Sequence, residues 1–205
     1  MIQTIPKPVT FDEFIDWYPE NSPHRYELHD GEIIEMPLPT GKHSKVAGFT
    51  AFKLGSEIER VGFPYFIPKQ CIIKPNNDLS GYDPDIIVLD EQALGDEPRW
   101  EGESIITKGT SIPLVIEVVS TNWSDDYALK LEEYEAFGIR EYWIVDYLGL
   151  GGKRFIGNPK QATITVNQLV NGEYQAERFT VGASIKSFVF PELALTTDEI
   201  FQRGR

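Results

Sequence analysis

The protein has 205 residues, of which 41% are hydrophobic and 25% are charged, and these fractions are typical of one globular domain and exclude a wholly disordered chain. No apolar run approaches the roughly 20 residues that a membrane-spanning helix needs, and the first residues lack the pattern of a secretory signal, so we expect a cytoplasmic protein with no membrane contact. The 19 basic and 32 acidic residues give a net charge of −13, which argues against a general affinity for nucleic acid.

Residues 1–41 are predicted to form a short helix and a hairpin. A Thr-x-x-Glu sequence at 10–13 has the spacing of a capping box, which predicts a helix that begins there. An Asp-Gly pair at 30–31 separates two strand-like segments, 25–29 and 32–36. This pair is a strong signal for a tight hairpin turn.

The core of the domain is predicted to lie at about 42–147. Its elements, in chain order, are a long helix at 42–61, three strands at 65–74, 85–89 and 113–119, a helix at about 125–137 and a strand at 141–147. The apolar runs at 86–89 and 114–116 are unbroken, which is typical of central strands covered on both faces.

The pattern changes to short alternating strands beyond residue 153. Two strands are predicted at 162–170 and 174–181, and a final helix near 197–202. We therefore expect residues 153–205 to extend the core with β-strands and a terminal helix. The whole chain, 1–205, is predicted to be one domain of the α/β class, built as a layer sandwich.

Three carboxylates lie in or beside these predicted strands. Asp85 precedes one apolar strand, Glu117 lies near the end of another, and Glu27 lies in the amino-terminal hairpin. Ionised carboxylates in buried strands need a compensating charge. Mg²⁺ or Mn²⁺ can supply it, because such cations bind one or two carboxylates together with waters and phosphate oxygens. The alternative is that Asp85 caps a turn and Glu117 pairs with a surface arginine.

Lys130 falls inside the apolar arc of the second helix and not on its solvent face. A lysine that points toward a sheet must reach water or an anion, and a cluster of Asp85 and Glu117 would be such an anion. The alternative is an ordinary helical ion pair between Lys130 and Asp126, one turn earlier.

Several segments of the chain together give a specific indication of one protein family, although each segment alone is weak evidence. They are YELHDGE at 26–32, PD at 84–85, EVVS at 117–120, DYALKLEEY at 126–134, GIREYW at 138–143 and SFVFPEL at 187–193. In this order they resemble the Uma family of bacterial restriction-endonuclease-like proteins, which is part of the PD-(D/E)XK nuclease superfamily. The resemblance runs from about residue 11 to residue 201.

The resemblance implies a restriction-endonuclease-like core of one helix, three strands, a helix and a strand. It also implies a divalent-metal site at Asp85 and Glu117, with Glu27 as a further acid nearby. The usual superfamily lysine lies two residues after the glutamate, where this chain has Val119. The resemblance implies that Lys130, on the following helix, takes its place. It also implies an insertion at about 94–110.

These observations predict a metal-dependent endonuclease that hydrolyses phosphodiester bonds in DNA. Asp85 and Glu117 would hold one Mg²⁺ or Mn²⁺, with the Val118 carbonyl as a possible further ligand, and the cation would activate water. Lys130 would orient that water or offset charge in the transition state. Processing of another phosphodiester would need the same residues.

The long helix carries positive charge, which weakens the argument that the net charge makes against nucleic-acid binding. Residues 42–74 contain six basic and two acidic residues, a local charge of +4. Four of the basic residues project within one arc of the helix and form the predicted basic stripe: Lys42, Lys45, Lys53 and Arg60. Such a stripe could follow a phosphate backbone, or it could simply be a solvated helix face.

A different class of function stays open as an alternative. A catalytically idle domain of this fold could bind another protein or form a homodimer, and the acid-rich surface and added strands would suit that role. His43, on the apolar side of the long helix, could be a core histidine or a group behind the site.

Overall fold

The computed structural model describes residues 7–19 and 22–205. The first six residues, on which the signal-sequence expectation depends, lie outside this part. A capping box starts α1 (Phe11–Trp17): the Thr10 side chain accepts from the Glu13 backbone, and the Glu13 carboxylate accepts from the Thr10 backbone. The predicted hairpin is present as β1 (Arg25–His29) and β2 (Glu32–Met36).

The core begins with the long helix α2 (Gly41–Val61), which ends at a left-handed Gly62. The elements that follow are β3 (Tyr65–Phe66), β4 (Ile72–Ile73), β5 (Ile86–Asp90), α3 (Trp100–Glu103), β6 (Ile105–Ile106), β7 (Leu114–Val118), α4 (Trp123–Tyr127), α5 (Leu129–Phe137) and β8 (Glu141–Asp146). The last elements are α6 (Lys153–Ile156), β9 (Thr163–Val170), β10 (Glu173–Thr180) and α7 (Thr197–Phe201).

Six strands form the main sheet, in the order β10-β9-β8-β7-β5-β3. β7 and β8 are parallel, and the other neighbours are antiparallel. The helix, three strands, helix and strand of the predicted core are α2, β3, β5, β7, α5 and β8. The α/β fold and the carboxy-terminal β-strands are therefore confirmed.

Successive residues of the central strands face opposite layers, as the period of a strand requires. Ile116 and Trp143 pack on the face covered by α2 and α7, in the same cluster as Leu54. Val115 and Tyr142 pack on the opposite face, which α5 covers. Because Glu117 is two residues after Val115, its side chain points toward α5, and this decides which helix can supply its partner.

The predicted strand at 65–74 is wrong as a single element. Its first part is β3, in the main sheet, and its last part is β4, which pairs in parallel with β6 in a separate two-stranded sheet. Pro68 lies between them and has no backbone N–H to give to a sheet. The predicted insertion at 94–110 contributes α3 and β6.

The predicted continuous helix at 125–137 is also wrong. It starts earlier, at Trp123, and breaks at Ala128, whose backbone (φ −130°, ψ −74°) is not helical. Alanine is a strong helix former, so tertiary contacts and not local propensity cause this break. Tyr127 of α4 and Lys130 of α5, on either side of the break, are both buried. No helix in the described ranges is long and apolar enough to cross a membrane.

Candidate active site

The candidate site lies where β5 begins and β7 ends. The two strands are antiparallel, with Ile86 opposite Ile116, so Asp85 lies beside the end of β7. The Val118 backbone N–H donates to Asp85 Oδ2 at 2.9 Å, and the Asp85 N–H donates to Glu117 Oε2 at 3.4 Å. The two carboxylates that the sequence singled out are thus neighbours, although they are 32 positions apart in the chain.

Glu117 is a buried carboxylate with two hydrogen-bond donors on one oxygen. Its Oε1 accepts from the Lys130 ammonium at 3.0 Å and from the Tyr134 hydroxyl at 3.2 Å. Burial raises the pKa of Glu117 well above its usual range, and the charge of Asp85 raises it further, although Lys130 acts in the opposite direction. A further cation at this position would favour the ionised form.

Lys130 is 2% exposed and lies between carboxylates from three elements. Its ammonium donates to Glu27 and Glu117 at 3.0 Å each, and it is 3.8 Å from Asp126 Oδ1. Burial acts to lower the pKa of Lys130, but the three carboxylates outweigh it and the pKa is raised. The ion pair with Asp126 is therefore present across the break at Ala128. Its distance is longer than those from Lys130 to Glu117 in the sheet and to Glu27 in the hairpin.

Glu27 lies behind Lys130 and is fully buried. Its Oε1 accepts from Lys130 and from the Asp83 backbone N–H at 3.2 Å, and its Oε2 is 2.8 Å from His29 Nε2. Burial acts to raise the pKa of Glu27, but Lys130 and His29 lower it. Glu27 is not among the residues that line the cleft, and the side chains that it contacts are those of Lys130 and His29.

His43 is a site residue that the sequence left undecided. Its position in the first turn of α2 brings Nε2 to 2.9 Å from the Val118 carbonyl oxygen and 3.1 Å from Asp85 Oδ2. Burial acts to lower the pKa of His43, but Asp85 raises it. Burial likewise acts to raise the pKa of Asp85, and His43 and the Val118 N–H outweigh it, so that the pKa is lowered.

Sequence reasoning missed the part that Arg25 and Asp126 play in the site. Arg25, at the start of β1, is 36% exposed and lies 3.5 Å from Asp85 Oδ1. Asp126 was considered only as an alternative partner of Lys130; it is 4% exposed, and burial raises its pKa to about 7. The signal for Arg25 is its position directly before the YELHDGE segment, two residues from Glu27 and therefore on the same side of the strand.

A cleft of about 220 Å³ opens at this edge of the sheet. Asp85, Glu117 and Asp126 lie in its wall together with His43 and Arg25, which makes one end of the cleft polar. The exposed apolar side chains of Leu38 and Leu148 also line the cleft, together with polar side chains such as Ser120 and Asn122. The carboxylates are therefore accessible from a cleft and are not sealed in the core.

The donors in this cleft suit a hard divalent cation. Asp85 and Glu117 offer carboxylate oxygens and Val118 offers a carbonyl oxygen, and Mg²⁺ binds to one or two carboxylates while it keeps several waters. No group of three or more His, Cys, Asp or Glu residues within 7–19 and 22–205 has a metal-holding arrangement. A cation here would therefore depend on the two carboxylates and on water.

The predicted basic stripe is divided by the structure. Lys53 is 2.9 Å from Glu199, and Arg60 is 2.7 Å from Glu57 and 2.9 Å from Glu192. The two remaining members, Lys42 and Lys45, are exposed at the start of α2, and the described part of the chain provides no ion pair for either. Among the described residues, the lysines of α2 that have no ion-pair partner therefore lie at its amino-terminal end, which is the end nearest the cleft.

Comparison with known proteins defines the class: the chain has a nuclease-like fold. It is similar to the crystal structure of a protein from Anabaena variabilis described as a putative nuclease belonging to DUF820. The TM-score is 0.71 at 22% sequence identity, and the match covers 97% of this chain and 100% of that one. No curated protein gives a match.

The family follows from the sequence itself. Residues 11–198 match the family Uma2, described as "Putative restriction endonuclease". The chain therefore belongs to the Uma2 family, and the resemblance drawn from its motifs is confirmed.

Proposed function

We propose that this protein is a metal-dependent endonuclease that hydrolyses phosphodiester bonds in DNA. The observation that carries the proposal is the pairing of Asp85 and Glu117 in one cleft, with Glu117 buried and tied to Lys130 at 3.0 Å. Burial of two carboxylates beside each other costs free energy, and charge concentrated in this way is typical of functional sites. The nuclease-like fold supports phosphodiester hydrolysis as that function.

Asp85 and Glu117 would hold a Mg²⁺ or Mn²⁺ ion. A bound ion of this kind supplies Lewis-acid polarisation of a phosphate oxygen and lowers the pKa of water beside it. The chain would provide a raised pKa at Glu117, which favours binding of a cation, and a cleft that admits the substrate. The Val118 carbonyl, now 2.9 Å from His43, would be the third oxygen.

Lys130 would act in this site by fixing the position of Glu117. With 2% of its side chain exposed and its ammonium bound to two carboxylates, it can hold Glu117 in one orientation and balance the charge of Glu27. Glu27 would act indirectly, because it accepts a hydrogen bond from Lys130 and so holds the ammonium in place. We therefore propose that Lys130 and Glu27 are positioning residues, whereas Asp85 and Glu117 contact the reacting groups through the ion.

DNA is the proposed substrate because the open positive charge lies beside the cleft. Lys42 and Lys45 are exposed at the start of α2, just before and just after His43 in the chain, and could contact phosphates next to the cleaved bond. The chain as a whole is acidic, with a net charge of −13. Binding should therefore be weak without a divalent ion and should fall as the salt concentration rises.

The test is nicking of supercoiled plasmid DNA by the purified protein with Mg²⁺ or Mn²⁺. Asp85→Asn should abolish nicking and Mn²⁺ binding measured by calorimetry. Asp90→Asn is the matched control, since Asp90 lies at the other end of β5 and lines neither the cleft nor the site. If Asp85→Asn nicks DNA as fast as the wild type, the site is wrongly assigned. A wild-type protein that neither binds Mn²⁺ nor nicks DNA would instead be the idle scaffold.

A further inference from the structure

The cation that faces the cleft is Arg25, and Lys130 does not reach it. The Lys130 ammonium is occupied by Glu27 and Glu117, and Lys130 is not among the residues that line the cleft. The Arg25 side chain, in contrast, is 36% exposed, and it lines both the cleft and an adjoining cavity of about 270 Å³. A phosphate that approached Asp85 from solvent would therefore meet the Arg25 guanidinium.

Among the residues that the structure describes, few accept a hydrogen bond from Arg25. A guanidinium has five N–H donors in a fixed planar fork. Within the described residues, Arg25 makes one hydrogen bond, from Nη2 to Asp85 Oδ1, and it is long at 3.5 Å. Arg60 provides the contrast, because it donates three bonds of 2.7 to 2.9 Å to Glu57 and Glu192. Charge thus holds Arg25 at the site, and its partly exposed side chain lines the cleft.

We propose that Arg25 is a catalytic residue whose guanidinium contacts the non-bridging oxygens of the phosphate that is cleaved. An arginine fork matches two phosphate oxygens and binds them bidentately. Donors of this kind stabilise the negative charge that develops in the transition state. Arg25 keeps its proton throughout, so its role needs no exchange of protons or electrons. The substrate in this inference rests on the proposed function.

Binding of a fluorescently labelled DNA duplex tests the contact directly. It is measured by anisotropy in EDTA, so that no cleavage occurs, and at low ionic strength, where electrostatic binding is strongest. Arg25→Gln should weaken binding by about tenfold, or roughly 1.4 kcal/mol, because it removes a charge-assisted contact with phosphate. Arg154→Gln, which removes an exposed arginine on α6, is the matched control for the change in net charge. It should bind DNA as the wild type does.

Arg25→Lys keeps the positive charge but removes the planar fork of N–H donors, so it tests which of the two is needed. If Arg25 serves only to neutralise Asp83 and Asp85, which lie 3.8 and 3.5 Å away, lysine should restore binding and nicking. If the fork contacts phosphate, Arg25→Lys should bind and nick nearly as poorly as Arg25→Gln. Mn²⁺ affinity no weaker than that of the wild type, together with unchanged thermal unfolding, would show in both variants that the site is intact.

Two outcomes would overturn the assignment: unchanged DNA binding in Arg25→Gln, or binding and nicking by Arg25→Lys at the wild-type level. Failure of the proposed function would give different results from failure of the Arg25 assignment. A wild-type protein that binds DNA through Arg25 but does not nick it retains the phosphate contact and loses the hydrolytic function. A wild-type protein that nicks DNA, with Arg25→Gln equally fast, retains the function and loses the assignment of Arg25.

Discussion

Glu117 Oε1 and Lys130 Nζ are 3.0 Å apart, and both side chains are buried between β7 and α5. The residues are 13 positions apart in the chain, and the turn between the strand and the helix brings them together. A buried pair of this kind adds little stability relative to apolar residues, but loss of one partner leaves an uncompensated charge in the core. The pair is therefore more easily explained by function than by stability.

Replacement of Lys130 should destabilise the fold as well as stop nicking. Lys130→Met leaves Glu27 and Glu117 buried without their cation, and breaking such a pair typically costs about 3–5 kcal/mol. The free energy of unfolding in urea measures this loss. Adding Glu27→Gln to Lys130→Met should recover part of it, because one of the unpaired charges is then removed.

A comparable change at the surface is the control for Lys130. Lys186→Met breaks a pair in which the lysine is 77% exposed, and it should leave the unfolding midpoint almost unchanged. Equal stability of Lys130→Met and the wild type would contradict the placement of a charged lysine between buried carboxylates.

Stability should depend on pH through Asp126. Burial raises the pKa of its carboxyl to about 7 in the folded protein, above its usual range. The stability that this group contributes is fully present below its unfolded pKa and is lost as the pH rises through about 7. Asp126→Asn should therefore flatten the decrease in unfolding free energy between about pH 4 and 7, by at most about 1.4 kcal/mol per pH unit.

Urea denaturation in EDTA at a series of pH values measures this dependence. Asp16→Asn, at an exposed position of α1, should reproduce the wild-type curve. Parallel curves for Asp126→Asn and the wild type would mean that Asp126 is not the group responsible.

Removal of His43 should strengthen the binding of a divalent cation. His43 Nε2 contacts Asp85 Oδ2 at 3.1 Å and the Val118 carbonyl oxygen at 2.9 Å, and these are two of the oxygens that a cation would need. His43→Ala frees both, so we expect a several-fold lower dissociation constant for Mn²⁺ in calorimetry. His24→Ala, a partly exposed histidine near Glu35, should show no change, and weaker Mn²⁺ binding by His43→Ala would instead identify His43 as a support of the site.

Glu141 should be important for stability alone. This fully buried carboxylate accepts from the Trp143 indole and the Ser187 hydroxyl on one oxygen and from the Phe188 and Val189 backbone N–H groups on the other. In Glu141→Gln an amide NH₂ would face two of these donors. Leaving buried donors unsatisfied should lower the free energy of unfolding by about 1–3 kcal/mol.

The matched control for Glu141 is Glu177→Gln on β10, where the carboxylate is 57% exposed. Its unfolding free energy should equal that of the wild type, and thermal or urea denaturation can measure both variants. If Glu141→Gln is equally stable, the carboxylate does not need the four donors that surround it.

Local sequence determined much of this fold. The capping box at Thr10, the Asp30-Gly31 turn and the left-handed Gly62 at the end of α2 act within a few residues, so their effect can be read without tertiary structure. The unbroken apolar strands likewise predicted burial on both faces. Asp85 and Glu117 were recognisable for the same reason, because a carboxylate stands out beside an apolar strand.

Only the tertiary structure decided the remaining contacts of the site. Lys130 meets Glu27 across 103 positions, and His43 meets the Val118 carbonyl across 75. Such distances close only when the sheet and the helices have packed, and no local pattern encodes them. The same packing broke the helix at Ala128 and paired Lys53 and Arg60 with acidic residues. The sequence thus determined the kind of chemistry that the site could support, and the packing decided that Arg25 faces the cleft.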